Sequence, residues 1–554
     1  MTICDRKGLT TSDVTREDHS PAAEVDVSSE VDRMFAIACG VRRDWSAYRD
    51  DCSWRISAPL RKLFLRVSPG TGPDGGSYPE GMGAATVVPE ITECQGVTVL
   101  VGTGVSMAPS AVKRLSEALV ESEAELAYCD EYGFFKPDYA PILQEGMNYM
   151  GRFVAVKNTL LERSGPVEVS DLSVERMGGR ILDLARRASS VLHVTEPLYR
   201  VVDKVDFDIA RGGGVPAADL PDLKVSIVIP TRNHLGDLRK CVGSIVAKST
   251  WRNFEILIVD NGSTDRRLAK YYKSIGQCPA VRVLSHDVPF NYSEINNYAV
   301  SQATGEYLLF LNNDTEVLTP DWMQRMLEYA VRPGVGAVGA KLLYPNGTIQ
   351  HAGVVLGIDG VAAHRFLREP RRTAGYNGLA RVAGEVGAAT AACLMVRKAV
   401  FDSLAGFDET FAVAFNDVDL CLRIRKAGFS VVWTPHAELA HYESRSRGYE
   451  NTPAKARRFA EEIRRFRSRW RRELLLGDPF YSPNLSRWLG LYTPLASDVV
   501  GGHWSEKREI ADMEHAIHVM RRETDDIRRS PFWMATWPVR WAKWLYRLCG
   551  GCAS

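Results

Sequence analysis

The chain has 554 residues but no run of about 18 consecutive apolar ones, the length a membrane-crossing helix needs, so no such helix is expected. Charge of one sign is also missing: 69 Lys and Arg stand against 68 Asp and Glu. Nucleic-acid binders usually carry a basic excess, so no nucleic-acid partner is expected. The first residues, MTICDRKGLTTSDVTRED, lack an apolar core and argue against a secretory leader. The expected location is therefore the cytoplasm, with contact at the inner face of the plasma membrane as a further option. Cysteine is sparse. The 11 residues are odd in number and scattered, which implies no disulfide framework and fits small buried apolar groups. Only Cys549 and Cys552, in CGGC, lie close together, and no second ligand pair flanks them, so an incidental or structural role outweighs a redox or zinc role.

What is present divides the chain into four parts. Residues 1–90 form a polar arm and linker, ending in the turn-rich PGTGPDGGSYPEG (69–81). Residues 91–210 alternate strand-like runs, such as VTVLVG (97–102) and FVAV (153–156), with helical patterns. After the boundary RGGGVPAADLPD (211–222), residues 222–486 read as a second α/β unit. Its runs LKVSIVIPTRN, FEILIVDNGSTD and GEYLLFLNNDTEV are β-branched or aliphatic, of strand length, and each ends in a polar loop. That pattern predicts a mostly parallel sheet with helices on both faces. Ligands bind such sheets beyond the carboxyl ends of the strands, where these loops converge. Residues 487–554 form a Trp-rich amphipathic tail.

Several residues at these loops are suited to chemistry, each with a plainer alternative. Asp260 ends a strand and can accept hydrogen bonds from ribose or base, or merely make an Asx turn. Asn312, Asn313 and Asp314 offer one carboxylate and two amides, a set that can help hold a hard divalent cation or form an ordinary polar turn. Asp417 and Asp419 open a helical pattern, where negative charge suits the helix dipole; one of them can instead serve as a general base. His436, His441 and Glu443 lie among arginines in TPHAELAHYESRSRGYE. The stretch GVGAVG (334–339) matches a dinucleotide fingerprint but follows a helical pattern and precedes a Pro-Asn-Gly turn, so that reading is rejected.

Eight segments in order over 223–486 (VSIVIPTRN, ILIVDNGSTD, PFNYSEINNYAV, GEYLLFLNNDTEVLTPDW, VGAVGAKLLYPNGTIQHAGVVLG, FNDVDLCLRIRKAGF, HYESRSRG and DPFYSPNLS) resemble the family 2 glycosyltransferases of GT-A fold. The likeness is greatest to the bacterial rhamnosyltransferase-like branch that builds cell-surface polysaccharide, including lipopolysaccharide O-antigen. The resemblance implies a nucleoside-diphosphate sugar donor, a glycan or glycolipid acceptor and Mg2+ or Mn2+. It implies that Pro230, Thr231, Asn233, Asp260, Asn261, Ser263 and Asn313 hold the donor, and that Asp314 and His441 stand at the metal. Asp417 would be the base of an inverting transfer, with Thr390, Cys393, Asn416 and Asp419 around sugar and acceptor. Asn312 departs from the family's DxD-type motif, and Asn416 precedes the base where relatives carry an acid. Two other readings stay open: a catalytically inactive sugar-binding or scaffold subunit, and a sugar-phosphate nucleotidyltransferase.

Residues 91–210 can be laid on the second unit, 97–120 on 308–331 and 153–165 on 394–406, with offsets of 211 and 241. Gly102 and Thr103 then fall on Asn313 and Asp314, and Gly178 or a neighbour on Asp417. This predicts a degenerate, non-catalytic partial copy. In KARRFAEEIRRFRSRWRR (455–472), Phe459, Ile463, Phe466 and Trp470 make an apolar strip, read as core packing, opposite arginines that can meet anionic groups. Seven of 12 Trp residues follow position 469; Trp533, Trp537, Trp541 and Trp544, with basic neighbours, suit either a docked helix or a membrane interface. SWRISAPLR (53–61) and SPFWMATWPVR (530–540) read as two versions of one amphipathic element.

Overall fold

In the computed structural model, the described residues are 34, 89–202, 214–442, 452–495 and 506–529. Residues 1–88 apart from Met34, both amphipathic elements, Glu443 with the rest of the Arg-rich stretch, Trp533 to Trp544, Cys549 and Cys552 lie outside the described residues.

Two sheets carry the chain. The first contains β1 (Glu90–Cys94), β2 (Val97–Val101), β3 (Val105–Met107), β4 (Leu126–Glu131), β5 (Phe153–Lys157) and β6 (Val191–Val201), in the order β1-β2-β5-β4-β6-β3. The second unit adds β7 (Val225–Thr231), β8 (Phe254–Asp260), β9 (Val281–Ser285), β10 (Tyr307–Leu311), β11 (Thr315–Val317), β12 (Val335–Leu343), β13 (Ile349–His351), β14 (Val354–Leu356), β15 (Ala362–His364), β16 (Gly384–Glu385), β17 (Cys393–Arg397) and β18 (Ser430–His441). Its main path is β11-β18-β12-β17-β10-β7-β8-β9. The α/β class is as the sequence pattern predicts, and β10, β7, β8 and β9 are parallel throughout. The other half is mixed, because β17 runs antiparallel between β10 and β12. This reversal puts the start of β17 beside the end of β10, so the ends of β10, β7, β8 and β9 and the beginning of β17 lie along a single edge.

The central strands are buried along almost their whole length, as in YLLFL of β10 and VGAVGAKLL of β12, which is why their sequences are continuous apolar runs rather than alternations. All of GVGAVG but its first glycine lies within β12. A Cβ on Gly336 would stand 2.6 Å from Ile424, and one on Gly339 2.5 Å from Ala389, so close packing and not a cofactor requires these glycines.

The path β2-β5-β4-β6-β3 repeats β10-β17-β12-β18-β11 in order and in the sense of every pairing. The hydrogen bond from Gly102 N to Arg152 O matches that from Asn312 N to Ala392 O, and Val202 N to Gly104 O matches Tyr442 N to Asp314 O. The strand offsets are therefore 210 and 240, one less than the sequence alignment gives. Laying 97–120 on 308–331 puts Pro109 on Pro320, but one more residue lies between β11 and Pro320 than between β3 and Pro109. In the first sheet, antiparallel β1 takes the place that parallel β7 holds in the second.

The helix Pro453–Arg469 packs by its apolar strip, as expected: Phe466 is fully buried, Trp470 nearly so, and Phe415 stacks on both Phe459 and Phe466. Trp488 is buried against Met34 and the helix Glu506–Arg529, so this tail tryptophan is a packing residue.

Candidate active site

Thr231 and Asp260 end β7 and β8 and are direct cross-strand neighbours. Asp260 Oδ1 accepts from Tyr272 Oη at 3.0 Å and from Ser263 Oγ. Burial, and then the Asp260 charge, push the Tyr272 phenol above its usual range. Ser263 Oγ also accepts from Asn233 N at 2.7 Å, and Asn233 Oδ1 accepts from the amides of Thr264 and Asp265. Asn233 and His234 both hold positive φ, 60° and 52°, which bends the chain sharply after β7. The two loops are thus one hydrogen-bonded unit, with Pro230, Asn233, Asp260 and Ser263 half-buried at its surface. Asn261 differs from its expected role. It is buried, and its amide donates to the carbonyls of His286 and Val288. It fastens this loop to the next rather than facing the cleft. Asp287 closes against Gly262, whose φ is 69°; no motif in the sequence marks it.

At the end of β10, Asn313 donates from Nδ2 to Thr231 Oγ1 at 2.9 Å, joining the third loop to the first. Asp314 Oδ1 lies 3.1 Å from His441 Nε2, although 127 positions separate the residues, because β11 and β18 pair side by side. On the far side of the ring, His441 Nδ1 lies 2.6 Å from Gln350 Oε1. An amide oxygen only accepts, so Nδ1 carries the proton. In the neutral ring Nε2 then presents its lone pair, shared by Asn312 Nδ2 at 3.2 Å, toward a carboxylate oxygen. Two acceptors facing at this distance are the arrangement a cation relieves. Among the described residues no three His, Cys, Asp or Glu side chains form a metal cage. Asp314 and His441 would thus be the protein's two ligands, with phosphate and water completing the shell. Gln350 belongs to this site and was not legible in the sequence, since β13 is only three residues long.

Asp417 is the second residue of the helix Asn416–Lys426. Its Oδ2 accepts from Ala391 N at 3.0 Å and its Oδ1 from Val418 N at 2.9 Å. Ala391 O accepts from Tyr292 Oη, and Ala392 O from Asn312 N, so the turn before β17 links Asp417 to the metal-side loop. The residue before the helix, Phe415, has φ 62°, rare for a bulky side chain. Glu462, buried on the Pro453–Arg469 helix, secures the chain here by accepting from the amides of Val413 and Ala414. Thr390 is half-buried, and its amide points to Nε2 of His351 at 3.4 Å. Burial holds the His351 imidazole well below its usual pKa, and its Nδ1 faces His364 Nδ1 at 2.8 Å.

Three of the acceptor-side expectations are corrected. Asp419 is 0% exposed, with its oxygens taken by Arg423 Nε at 2.8 Å and Trp470 Nε1 at 3.0 Å. Each step along a helix turns a side chain by about 100°, so two steps put Asp417 and Asp419 on opposite faces, Asp417 at the cleft edge and Asp419 in the core. Asn416 is buried, with its amide 3.4 Å from the carbonyls of Phe411 and Val413. Cys393 is a fully buried β17 residue whose thiol is pushed far up by burial.

This edge brings together the loops after β7, β8 and β10, a carboxylate–histidine pair and a second carboxylate at a helix start, the place where α/β sheets bind ligands. The family model for glycosyl transferase family 2 matches residues 226–404, so this unit carries a domain of that family. The chain is 48% identical over 264 residues to an uncharacterized protein of Sinorhizobium fredii, covering 47% of this chain and 29% of that one. It is 34% identical over 443 residues to an O-antigen biosynthesis protein of Myxococcus xanthus, covering 71% and 34%. The chain thus spans about a third of the length of these two relatives. An N-acetylglucosaminyl-diphospho-decaprenol L-rhamnosyltransferase of Mycobacterium tuberculosis is 28% identical over 219 residues, covering 36% of this chain and 70% of that protein. Among solved structures, a mannosyltransferase of Pyrobaculum calidifontis in complex with GDP-mannose and Mn2+ aligns with 17% identity and a TM-score of 0.34, over 47% of this chain and 68% of that one. Among the described residues no helix is long and apolar enough to cross a membrane.

Proposed function

We propose that the chain is an inverting glycosyltransferase that moves a sugar from a nucleoside-diphosphate donor to a hydroxyl of a surface glycan under construction, carried on a lipid. The observation that carries this reading is the half-buried Asp417 carboxylate, held by Ala391 N at 3.0 Å on the edge that also bears Asp260, Asp314 and His441. Thr231, Asn233, Asp260 and Ser263 hold the nucleoside, with hydroxyls and amides as partners for ribose and base. Asp314 and His441 would hold Mg2+ or Mn2+, which when bound offsets charge growing on the leaving diphosphate. Asp417 takes the proton of the acceptor hydroxyl as its oxygen bonds to the anomeric carbon and the bond from that carbon to the diphosphate breaks. One displacement inverts the anomeric centre, through an oxocarbenium-like transition state.

The first unit does no chemistry in this reading. At the positions of Asn313, Asp314, His441 and Asp417 it has Thr103, Gly104, Val201 and Met177, none of which ionises near neutrality. Arg152 Nη1 donates to Thr103 O, and a Cβ on Gly102 would lie 2.5 Å from Met177 Sδ, so this edge is closed by its own chain. The unit instead supports the second: Glu385 accepts from the amides of Ile142 and Leu143, and Arg332 pairs with Glu145. A rhamnosyl donor and peripheral membrane contact belong to the same proposal, supported by the relatives' names and the Trp-rich tail. A panel of nucleotide sugars scored by thermal stabilisation with and without Mn2+ tests it; stabilisation by none of them, with or without the ion, would reject it.

A further inference from the structure

β12 and β18 run parallel, yet Gly339 pairs with Trp433 and Lys341 with Glu438, so two steps of β12 face five of β18, a bulge in β18. Beside this bulge lies a cavity of about 450 Å3, lined by Lys341, Arg371, Arg372, Arg381, His436 and Glu438 among others. Lys341 is buried, donates to Arg371 O at 2.6 Å and pairs with Glu438 at 3.3 Å. Arg371 Nε donates to the same carboxylate at 3.0 Å. Glu438 therefore serves two cations. Arg372 and Arg381 sit exposed at the mouth, linked by Arg381 Nη2 donating to Arg372 O at 3.2 Å, and neither has a carboxylate partner among the described residues. Glu369, on the same loop, is engaged by the Thr373 hydroxyl.

The first sheet supplies an internal comparison. There Cys129 pairs with Val194 and Asp130 with Pro197, which is a bulge in the equivalent place. Leu126 pairs with Val156 as Ala337 pairs with Val396, so Asp130 stands where Lys341 stands in the second sheet. Next to Asp130 the space is filled by the chain itself: Asn484 Nδ2 donates to Asp130 Oδ2 at 2.7 Å and to Thr195 O, and Ser482 Oγ lies 3.3 Å from the same carboxylate. One bulge has a buried carboxylate that receives the chain's own donors. The other has a buried ammonium, three arginines and an open cavity.

We infer that the cavity beside the β18 bulge binds a phosphate- or diphosphate-bearing anion, at a site separate from the donor edge. Arg372 and Arg381 supply planar, multidentate donors, and Lys341 and Arg371 form the charged floor. Glu438 precedes His441 by three residues, so the site lies about 10 Å along the strand from the carboxylate–histidine pair. The inference rests on the cavity and its charge, and holds whether or not the chain transfers sugar.

Titration calorimetry of the full chain with inorganic pyrophosphate in EDTA tests it, since without a divalent cation the carboxylates of the donor edge repel the ligand. One site is expected, weakened about tenfold or more by the double variant Arg372→Ser/Arg381→Ser and by added salt, and unchanged in Asp260→Asn. Both arginines are exposed, so the double variant keeps the parent melting temperature. Equal binding by parent and double variant, or no binding by the parent, would overturn the inference. Flotation with phosphatidylcholine vesicles, plain or carrying phosphatidic acid, distinguishes the sources. Capture by phosphatidic acid that the double variant loses assigns a lipid headgroup; pyrophosphate binding without capture assigns a soluble phosphate.

Discussion

Gln350 Oε1 lies 2.6 Å from His441 Nδ1, and His441 Nε2 lies 3.1 Å from Asp314 Oδ1, so one imidazole is held between an amide and a carboxylate. The amide fixes the tautomer and leaves Nε2 to a cation. In Gln350→Leu that proton has no acceptor and the ring is free to turn. Mn2+ affinity, read by electron paramagnetic resonance, is expected to fall about 10- to 100-fold. Parent-like affinity would remove Gln350 from the site.

Asp417→Asn keeps an oxygen for Ala391 N but cannot take a proton. Transfer is expected to fall by about 10²- to 10⁴-fold, with donor binding by calorimetry unchanged. Near-normal turnover would take the base role from Asp417.

Glu462 and Asp419 act on the same loop-to-helix junction from the core side. Glu462→Ala strands the amides of Val413 and Ala414, at a cost of about 1–3 kcal/mol each at most. Glu462→Gln keeps one acceptor oxygen and should restore part of the loss. Asp419→Ala leaves Arg423 and the Trp470 indole without their buried partner and should destabilise by roughly 3–5 kcal/mol. Chemical denaturation measures both. An Asp419 variant of parent stability with altered acceptor KM would instead return this residue to the substrate.

His193 is buried between Asp130 and Asp138, at 2.9 Å from each. Burial opposes its charge, but Asp130 and Asp138 prevail and raise its pKa to about 9. The unfolded value is about 6.5. A raised pKa stabilises the fold fully below the unfolded value, and that stabilisation is lost as pH rises through about 9; here it amounts to roughly 3 kcal/mol. The parent should therefore lose its melting-temperature advantage over His193→Gln between pH 6.5 and 9.5. A gap that is constant over this range would show that the ring is neutral.

The places of the donor-side candidates could be read from the sequence because they are local. Asp260, Ser263, Asn313 and Asp314 lie in loops directly after apolar strand runs, and a strand end fixes where the next polar residue stands. The acceptor side was read less well. Asp417 and Asp419 share one helix start and one composition, and only the packing of Trp470 and Arg423 against one of them tells them apart. Gln350 and His351 come from a three-residue strand too short to leave a periodic signal. The repeat of the sheet was visible through its apolar patterns, but its offset was one residue out, since an extra turn residue before Pro320 does not disturb those patterns.

By itself the sequence determined the elements and the strand ends that carry polar loops, because apolar runs of strand length fold only where they can be buried. It also determined the identity of the groups offered at the edge. Tertiary structure alone decided which of these groups meet. Antiparallel β17 brings Ala391 to Asp417, and the pairing of β11 with β18 brings His441 to Asp314. Sheet pairing acts between residues far apart in the chain, and no local pattern records which strands become neighbours.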